Sequence, residues 1–334
     1  MRKDLFTPLL AFIMCLASCS FVSKDFDTSD KDSLVIQLIT YLLDQAHYLD
    51  KEINDDFSEK VFNTFVENLD PYKRYFYSTD IEDFSKYKYS IDDSFKNPDL
   101  EFFELVYNRY NKRFTESKLI YSEILSNPFN FDLDELCECD FEKLDYVDNK
   151  NDLYERWRKL LKIYVIDNYH DEIKDDQRKL DEDSTFTSRS VKEIEKSVRG
   201  DLFDTMNDSY RFMQEELQRQ DWLSVYINSF VSQYDPNTSY LDPESRERFD
   251  VDMSGNYAGI GARLQKKIDK VEITEVISGG PAWRENILEK GDIILKVRQE
   301  NEDEATGILG MRLSEAVKFC LLYTSDAADE GSSV

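Results

Sequence analysis

The chain has 334 residues, 41% of them hydrophobic and 13% aromatic, which is enough apolar surface for sizeable cores and for two domains rather than one. Its formal charge of -27, from 69 acidic against 42 basic residues, would repel a nucleic-acid backbone, and no local basic stripe offsets it. Nucleic acid is excluded as a partner on that ground.

The chain opens with basic Arg2 and Lys3 and an apolar run from Leu5 to Leu16, too short to span a bilayer comfortably and followed by small residues. That pattern predicts an export signal over residues 1–18. Leu16, Ala17, Ser18 and Cys19 resemble the bacterial lipobox, which implies cleavage before Cys19, acylation of that cysteine and anchoring to a membrane by several chains. The Ser-rich, charged residues 19–32 read as a flexible tether.

From Ser33, "SLVIQLITYLLDQAHYLD" and then "FSEKVFNTFVENLD" repeat apolar residues at helical spacing, with Phe62, Phe65, Val66 and Leu69 on one face. Their aromatics read as core, and His47 as a core or boundary histidine. A further helix is predicted over Leu100–Leu125, followed by a strand-like, turn-rich piece around "NPFNFDLDELCECDFEKLDY". Cys137 and Cys139 sit in that piece; with only His47 and His170 to complete a shell, no metal site is assigned. Another helix opens near Asn151. The polar run Asp175 to Ser190 predicts an exposed linker or helix-helix turn, and Ser188 or Ser190 can cap the amphipathic helix that carries Val191, Ile194, Val198 and Leu202.

Two stretches echo each other. Asp70-Pro71 stands five residues before Tyr75-Phe76, and Asp235-Pro236 five before Tyr240-Leu241. In each a helix is expected to halt at the residue before proline and a new one to restart after a capping Ser or Asp, the second with Pro243 in its first turn.

After Asp252 the composition changes, and eight of the ten glycines fall between Gly255 and Gly310. "GARLQKK", "KVEITEVI" and "DIILKVRQ" are short and rich in Val, Ile and Leu, and the turn formers "SGGPA" and "EKGD" stand between them. A small antiparallel β-rich module with a helix near "GMRLSEAVKF" follows. In order and spacing, "YAGIGARL", "VEITEVISGGPAWRENILEKGDIILKV" and "LSEAVKF" resemble a PDZ domain of the bacterial protease-associated type. The resemblance implies a loop in which amides near Gly259, Ile260, Gly261 and Ala262 receive a peptide's terminal carboxylate. It also implies a groove lined by Leu264, Leu313, Ala316 and Val317, where an extended tail adds a strand.

Upstream, "FSEKVFNTFVENLDPYKRYFYSTDIEDF", "ERWRKLLK" and "FVSQYDPNTSYLDPESRERFDVDMSGNYAGIGARLQ" resemble the N-terminal helical region of the tail-specific, or C-terminal processing, serine proteases. The resemblance runs from residue 33 to Phe319. It implies a periplasmic, lipid-anchored endopeptidase that recognises apolar C-terminal tails of unfolded or envelope proteins and cuts with a serine activated by lysine. In that family the dyad follows the PDZ helix, so no catalytic residue and no cofactor is assigned here, and the chain by itself is expected to be an inactive docking fragment. "CLLYTSDAADE", Cys320 to Glu330, resembles the translated read-through of a transposon-type sequencing adapter, so residues 320–334 are set apart as an adapter-derived tail and the natural chain is expected to continue.

The expected architecture is α+β and multidomain: a helical domain over 33–248, then a PDZ domain over 249–319, incomplete at its C-terminus. A non-enzymatic PDZ lipoprotein acting as a peptide-binding adaptor is the alternative function. A helical binding protein with a degenerate glycine loop is a third, and it would show no preference for free carboxyl ends.

Overall fold

The computed structural model describes residues 28–183, 185–254, 259–267, 270–298, 304–309 and 311–320. The export signal, the Cys19 lipidation site, Gly255, Gly310 and the chain from residue 321 onward lie outside the described residues.

Helices α1 (Thr28–Ala46), α2 (Asp55–Leu69), α3 (Ser78–Phe84), α4 (Ile91–Lys96), α5 (Glu101–Leu125), α6 (Lys150–Glu182), α7 (Val191–Glu215), α8 (Arg219–Val231) and α9 (Pro243–Ser254) make the first part. The opening helix begins at Thr28, inside the stretch expected to be a tether. In α2, Val61, Phe62, Phe65 and Leu69 are buried at spacings of three and four, and the Asn54 side chain caps the helix by accepting the Phe57 N–H at 3.2 Å. The core is a set of interlocking rings. Phe65 packs edge-on against Tyr226 and Phe102, while Phe95 and Phe230 stack with centroids 3.7 Å apart and planes 4° from parallel. From α6, Trp157 enters the same core and donates its indole N–H to the Arg74 carbonyl at 2.8 Å.

The charged run expected as a linker from Asp175 is helical as far as Glu182, because Asp175 pairs along α6 with Arg178 and Lys179 at helical spacing. The turn is confined to the residues before α7, where Ser190 and Glu193 form a reciprocal capping box. Nor is the segment around Cys137 and Cys139 a strand; it is irregular chain with no strand beside it, tied to α6 where Arg158 and Lys162 (2.6 Å) meet Glu135. Both cysteines are free thiols. Among the described residues no cluster of His, Cys, Asp and Glu is placed to hold a metal, and no helix is long and apolar enough to cross a membrane.

The two Asp-Pro stretches share a device and differ in surroundings. The Asp70 carboxylate accepts the backbone N–H groups of Arg74 (2.8 Å), Tyr75 (2.9 Å) and Phe76 (3.0 Å). That of Asp235 accepts those of Asn237 (2.7 Å) and Thr238 (3.1 Å), the Thr238 hydroxyl, and His47 Nε2 at 2.7 Å. His47 Nδ1 lies 3.1 Å from the Leu49 nitrogen and 3.2 Å from the Leu49 carbonyl oxygen, while Nε2 faces Asp235; the histidine is a strut between the end of α1 and this turn. Helix α8 stops at Val231, short of the residue before Pro236, and the chain turns through Ser232 to Tyr234 first. Pro243 opens α9, where Asp242 accepts the N–H groups of Glu244 and Ser245, both at 3.0 Å.

The second part holds β1 (Ala262–Lys267), β2 (Lys270–Val276), a short helix α10 (Pro281–Glu285), β3 (Ile293–Ile294), β4 (Lys296–Val297), β5 (Thr306–Gly307) and α11 (Leu313–Cys320). The strands form an antiparallel β1-β2-β3 sheet and a β4-β5 pair. Val271, Ile308 and Ala316 are its buried centre, with Leu264, Ile294, Leu313 and Phe319 packed against them. The chain is therefore α+β: a mostly helical region followed by a small antiparallel sheet.

Candidate functional site: the groove between β1 and α11

The glycine loop is held by its carbonyls. Ile260 C=O accepts the Ala282 N–H at 2.9 Å and Gly261 C=O accepts the Ile277 N–H at 2.9 Å, so both oxygens turn toward the body of the module. Within a trans peptide plane the N–H lies opposite the C=O, so the N–H groups of Gly261 and Ala262 turn outward together. This answers why glycine is needed at 261. Its φ is +74°, and a Cβ there would lie 2.9 Å from Pro281 Cδ and 3.0 Å from the Gly280 Cα. The two glycine-bearing turns pack backbone on backbone.

Strand β1 presents the next polar groups. It lies at the edge of the sheet, and the Ile277-to-Gly261 bond leaves Ala262 N–H and C=O facing away from β2. Opposite Leu264, Ile273 bonds toward β3, its N–H to Asp292 C=O at 2.9 Å and its C=O to Gly291 N–H at 2.8 Å. The Leu264–Ile273 pair therefore exchanges no bonds, and the main-chain groups of Leu264 also face the open edge. Lys266, two residues on in unbroken register, follows them.

Helix α11 packs against β1 and forms the other wall. Leu264, Leu313 and Val317 are half-buried, the first two against the small core, whereas Ala316 is fully buried beneath the helix and spaces it from the sheet. Gly259 is buried at the loop. The Ile260 N–H donates to the Cys320 carbonyl at 3.2 Å, so this amide is committed to the end of α11, and the outward pair is Gly261 and Ala262.

Sequence reasoning missed the other end of the groove. Glu216, the C-cap residue just after α7, places Oε1 2.8 Å from Lys266 Nζ and accepts the Leu313 N–H on Oε2 at 2.7 Å. Glu215 stands 3.3 Å from the same ammonium. Burial works to lower the Lys266 pKa, and the Glu216 carboxylate outweighs it, holding the group above the ordinary lysine value. The available signal was Arg312, the residue before α11, which has no acceptor to cap its own helix and so leaves an N–H to be met from elsewhere.

Comparison with known proteins places both parts. Residues 39–244 match the tail specific protease N-terminal domain, and residues 249–319 match the PDZ domain. The tail-specific protease of Haemophilus influenzae is 27% identical over 291 residues, 87% of this chain and 39% of that protein. A probable CtpA-like serine protease of Staphylococcus aureus is 31% identical over 138 residues, 40% of this chain and 26% of its own length. The crystal structure of the PDZ domain of a carboxy-terminal protease from Vibrio cholerae, in complex with peptide, is 38% identical over 20% of this chain and 66% of that chain, with a TM-score of 0.19. The chain thus spans well under half the length of the curated relatives described here. With the family's helical domain matched over most of the first part and a PDZ domain directly behind it, the chain belongs to the tail-specific protease family.

Proposed function

We propose that the groove between β1 and α11 docks the free, apolar C-terminal tails of envelope proteins, as the recognition part of a carboxy-terminal processing serine endopeptidase. One observation carries this reading: an edge strand whose main-chain groups at Ala262 and Leu264 face outward runs straight out of a loop whose Gly261 and Ala262 N–H groups face the same way. An extended tail would pair along β1, set its last side chain against Leu264, Leu313 and Val317, and place its carboxylate on the two amides. Charge-assisted hydrogen bonds contribute roughly 1.5–3 kcal/mol each and a buried apolar side chain about as much, which supports micromolar affinity once ordering costs are met.

No residue of the described chain is assigned to bond cleavage. Cys19 would carry the lipid that holds the protein in the envelope, facing the periplasm. The test is a titration of a ten-residue apolar-ended peptide against its C-terminally amidated twin. Amidation removes the charge that the loop would bind, and we expect at least about tenfold weaker binding, ~1.4 kcal/mol; equal affinity would sink the reading.

A further inference from the structure

The groove is tied at both ends before any tail arrives. At the carboxylate end the Ile260 N–H meets the Cys320 carbonyl of α11 at 3.2 Å. At the far end the tie comes from the helical domain. The Glu216 side chain reaches β1 through Lys266 (2.8 Å) and α11 through the Leu313 N–H (2.7 Å), while Arg312 returns a bond from Nη1 to the Glu216 carbonyl at 3.3 Å.

These contacts are a reciprocal cap. A helix N-terminus leaves donors unmet and favours a negative charge, and a C-terminus leaves acceptors unmet and favours a positive one. Glu216 supplies the carboxylate to the start of α11, and Arg312 supplies the guanidinium to the end of α7. Arg312 also meets Glu315 of α11 at 2.9 Å, and the Glu216 and Lys266 side chains are only 10% and 13% exposed. The pairing is thus sheltered from the screening that makes surface ion pairs weak.

We infer that Glu216 is a positioning residue for tail recognition: one carboxylate of the helical domain fixes the spacing of the two groove walls at the end where the upstream part of a tail would leave. The inference rests on the tail-docking reading. A tail running antiparallel to β1 from an anchored terminus advances about 3.4 Å per residue, which brings about its fifth residue from the end beside Lys266 and Glu216. The helical domain is then part of the binding site. Walls held at the bound spacing lower the ordering cost of inserting a strand between them, so Glu216 raises affinity without touching the carboxylate.

The experiment uses the full chain and the same free and amidated ten-residue peptides, with Glu216→Gln, Glu216→Ala and, as a neighbour control, Glu215→Gln. Glutamine keeps an oxygen for the Leu313 N–H and loses the charge facing Lys266; alanine loses both. We expect the free peptide to bind about threefold more weakly to Glu216→Gln and about tenfold more weakly to Glu216→Ala, with Glu215→Gln within about twofold of the wild type. Leu313 amide hydrogen exchange should quicken in the same order, with thermal unfolding of the helical domain unmoved. If the wild type prefers the free peptide and Glu216→Ala binds it equally well, the positioning role alone falls. If the wild type does not distinguish the peptides, the docking reading falls and the inference with it. Loss of binding that follows a matching loss of helical-domain stability would mark Glu216 as a fold residue and overturn the inference too.

Discussion

The helical domain and the PDZ module hold their shapes by different means. In the first, large side chains interlock: Phe65, Phe76, Phe84, Phe95, Phe103 and Phe230 are all essentially inaccessible. In the second, the buried cluster among the described residues is the small set Val271, Ile308 and Ala316, and the loop that carries the candidate site is positioned by main-chain hydrogen bonds and by glycines that touch. The difference teaches where each part is vulnerable. An aromatic core spreads its stability over many contacts, whereas a backbone-built loop depends on single positions at which a Cβ cannot be placed.

The largest expected effect comes from the ring core. Phe230 stacks on Phe95 and meets Phe57 edge-on at 5.0 Å, so Phe230→Ala should cost roughly 3–5 kcal/mol in urea unfolding followed by tryptophan fluorescence. Affinity for the free tail, measured where the variant is still folded, should stay within about twofold of the wild type. A parallel fall in affinity would mean that the two parts are one cooperative unit, and the contrast would break. Gly261→Ala is the converse. A positive φ and a Cβ 2.9 Å from Pro281 Cδ together cost roughly 1–3 kcal/mol locally, and tail binding should fall by at least about tenfold with the helical-domain transition unmoved.

The same contrast explains what the sequence disclosed. Helix faces such as Phe62, Phe65 and Leu69, and the Ser190 cap of α7, are written in residues three and four apart, so local spacing sufficed. The Gly-Gly-Pro and Lys-Gly-Asp turns marked where strands of the PDZ module begin and end, again locally, but the stretch "DIILKVRQ", expected as one strand, is divided between β3 and β4 in separate sheets. Strand, turn and helix each carry their own local signal, whereas the groove between them was implied by the resemblance to a PDZ domain. What stayed hidden was long-range pairing. His47 and Asp235 are 188 residues apart, and Glu216 caps Leu313 from 97 residues away. Arg312 marks locally that the start of α11 needs an acceptor, but no window of sequence names Glu216 as the residue that supplies it, or pairs His47 with Asp235. The extension of α6 to Glu182 was missed for another reason, because a polar run with ion pairs at helical spacing looks like a linker to a hydrophobic pattern.

The smallest expected effect concerns acid, and it turns on the two Asp-Pro turns within the helical domain. At Asp235 the Thr238 hydroxyl, the Asn237 N–H and His47 hold the carboxyl down to about 2, below the ordinary aspartate value of ~3.9. A depressed folded pKa contributes stability above the unfolded value, and that contribution is lost as pH falls from about 4 toward 2. Asp70 has the opposite sign. Burial pushes its pKa up, against three backbone N–H groups and Arg74 that pull it down, so its charged form costs stability at neutral pH and protonation relieves that cost as pH falls through its raised value. The two turns therefore partly cancel on acidification. Other depressed groups, among them Asp80 and Glu135, titrate alongside Asp235, so the wild-type curve alone cannot apportion the loss. The stability difference between wild type and Asp235→Asn isolates it, and that difference should be constant above about pH 5 and shrink between about 4 and 2. For Asp70→Asn the advantage of the wild type should instead grow as pH falls from neutral. A difference that moves in the same direction for both variants would mean that burial does not dominate at Asp70, and that the repeated Asp-Pro device is one electrostatic design used twice.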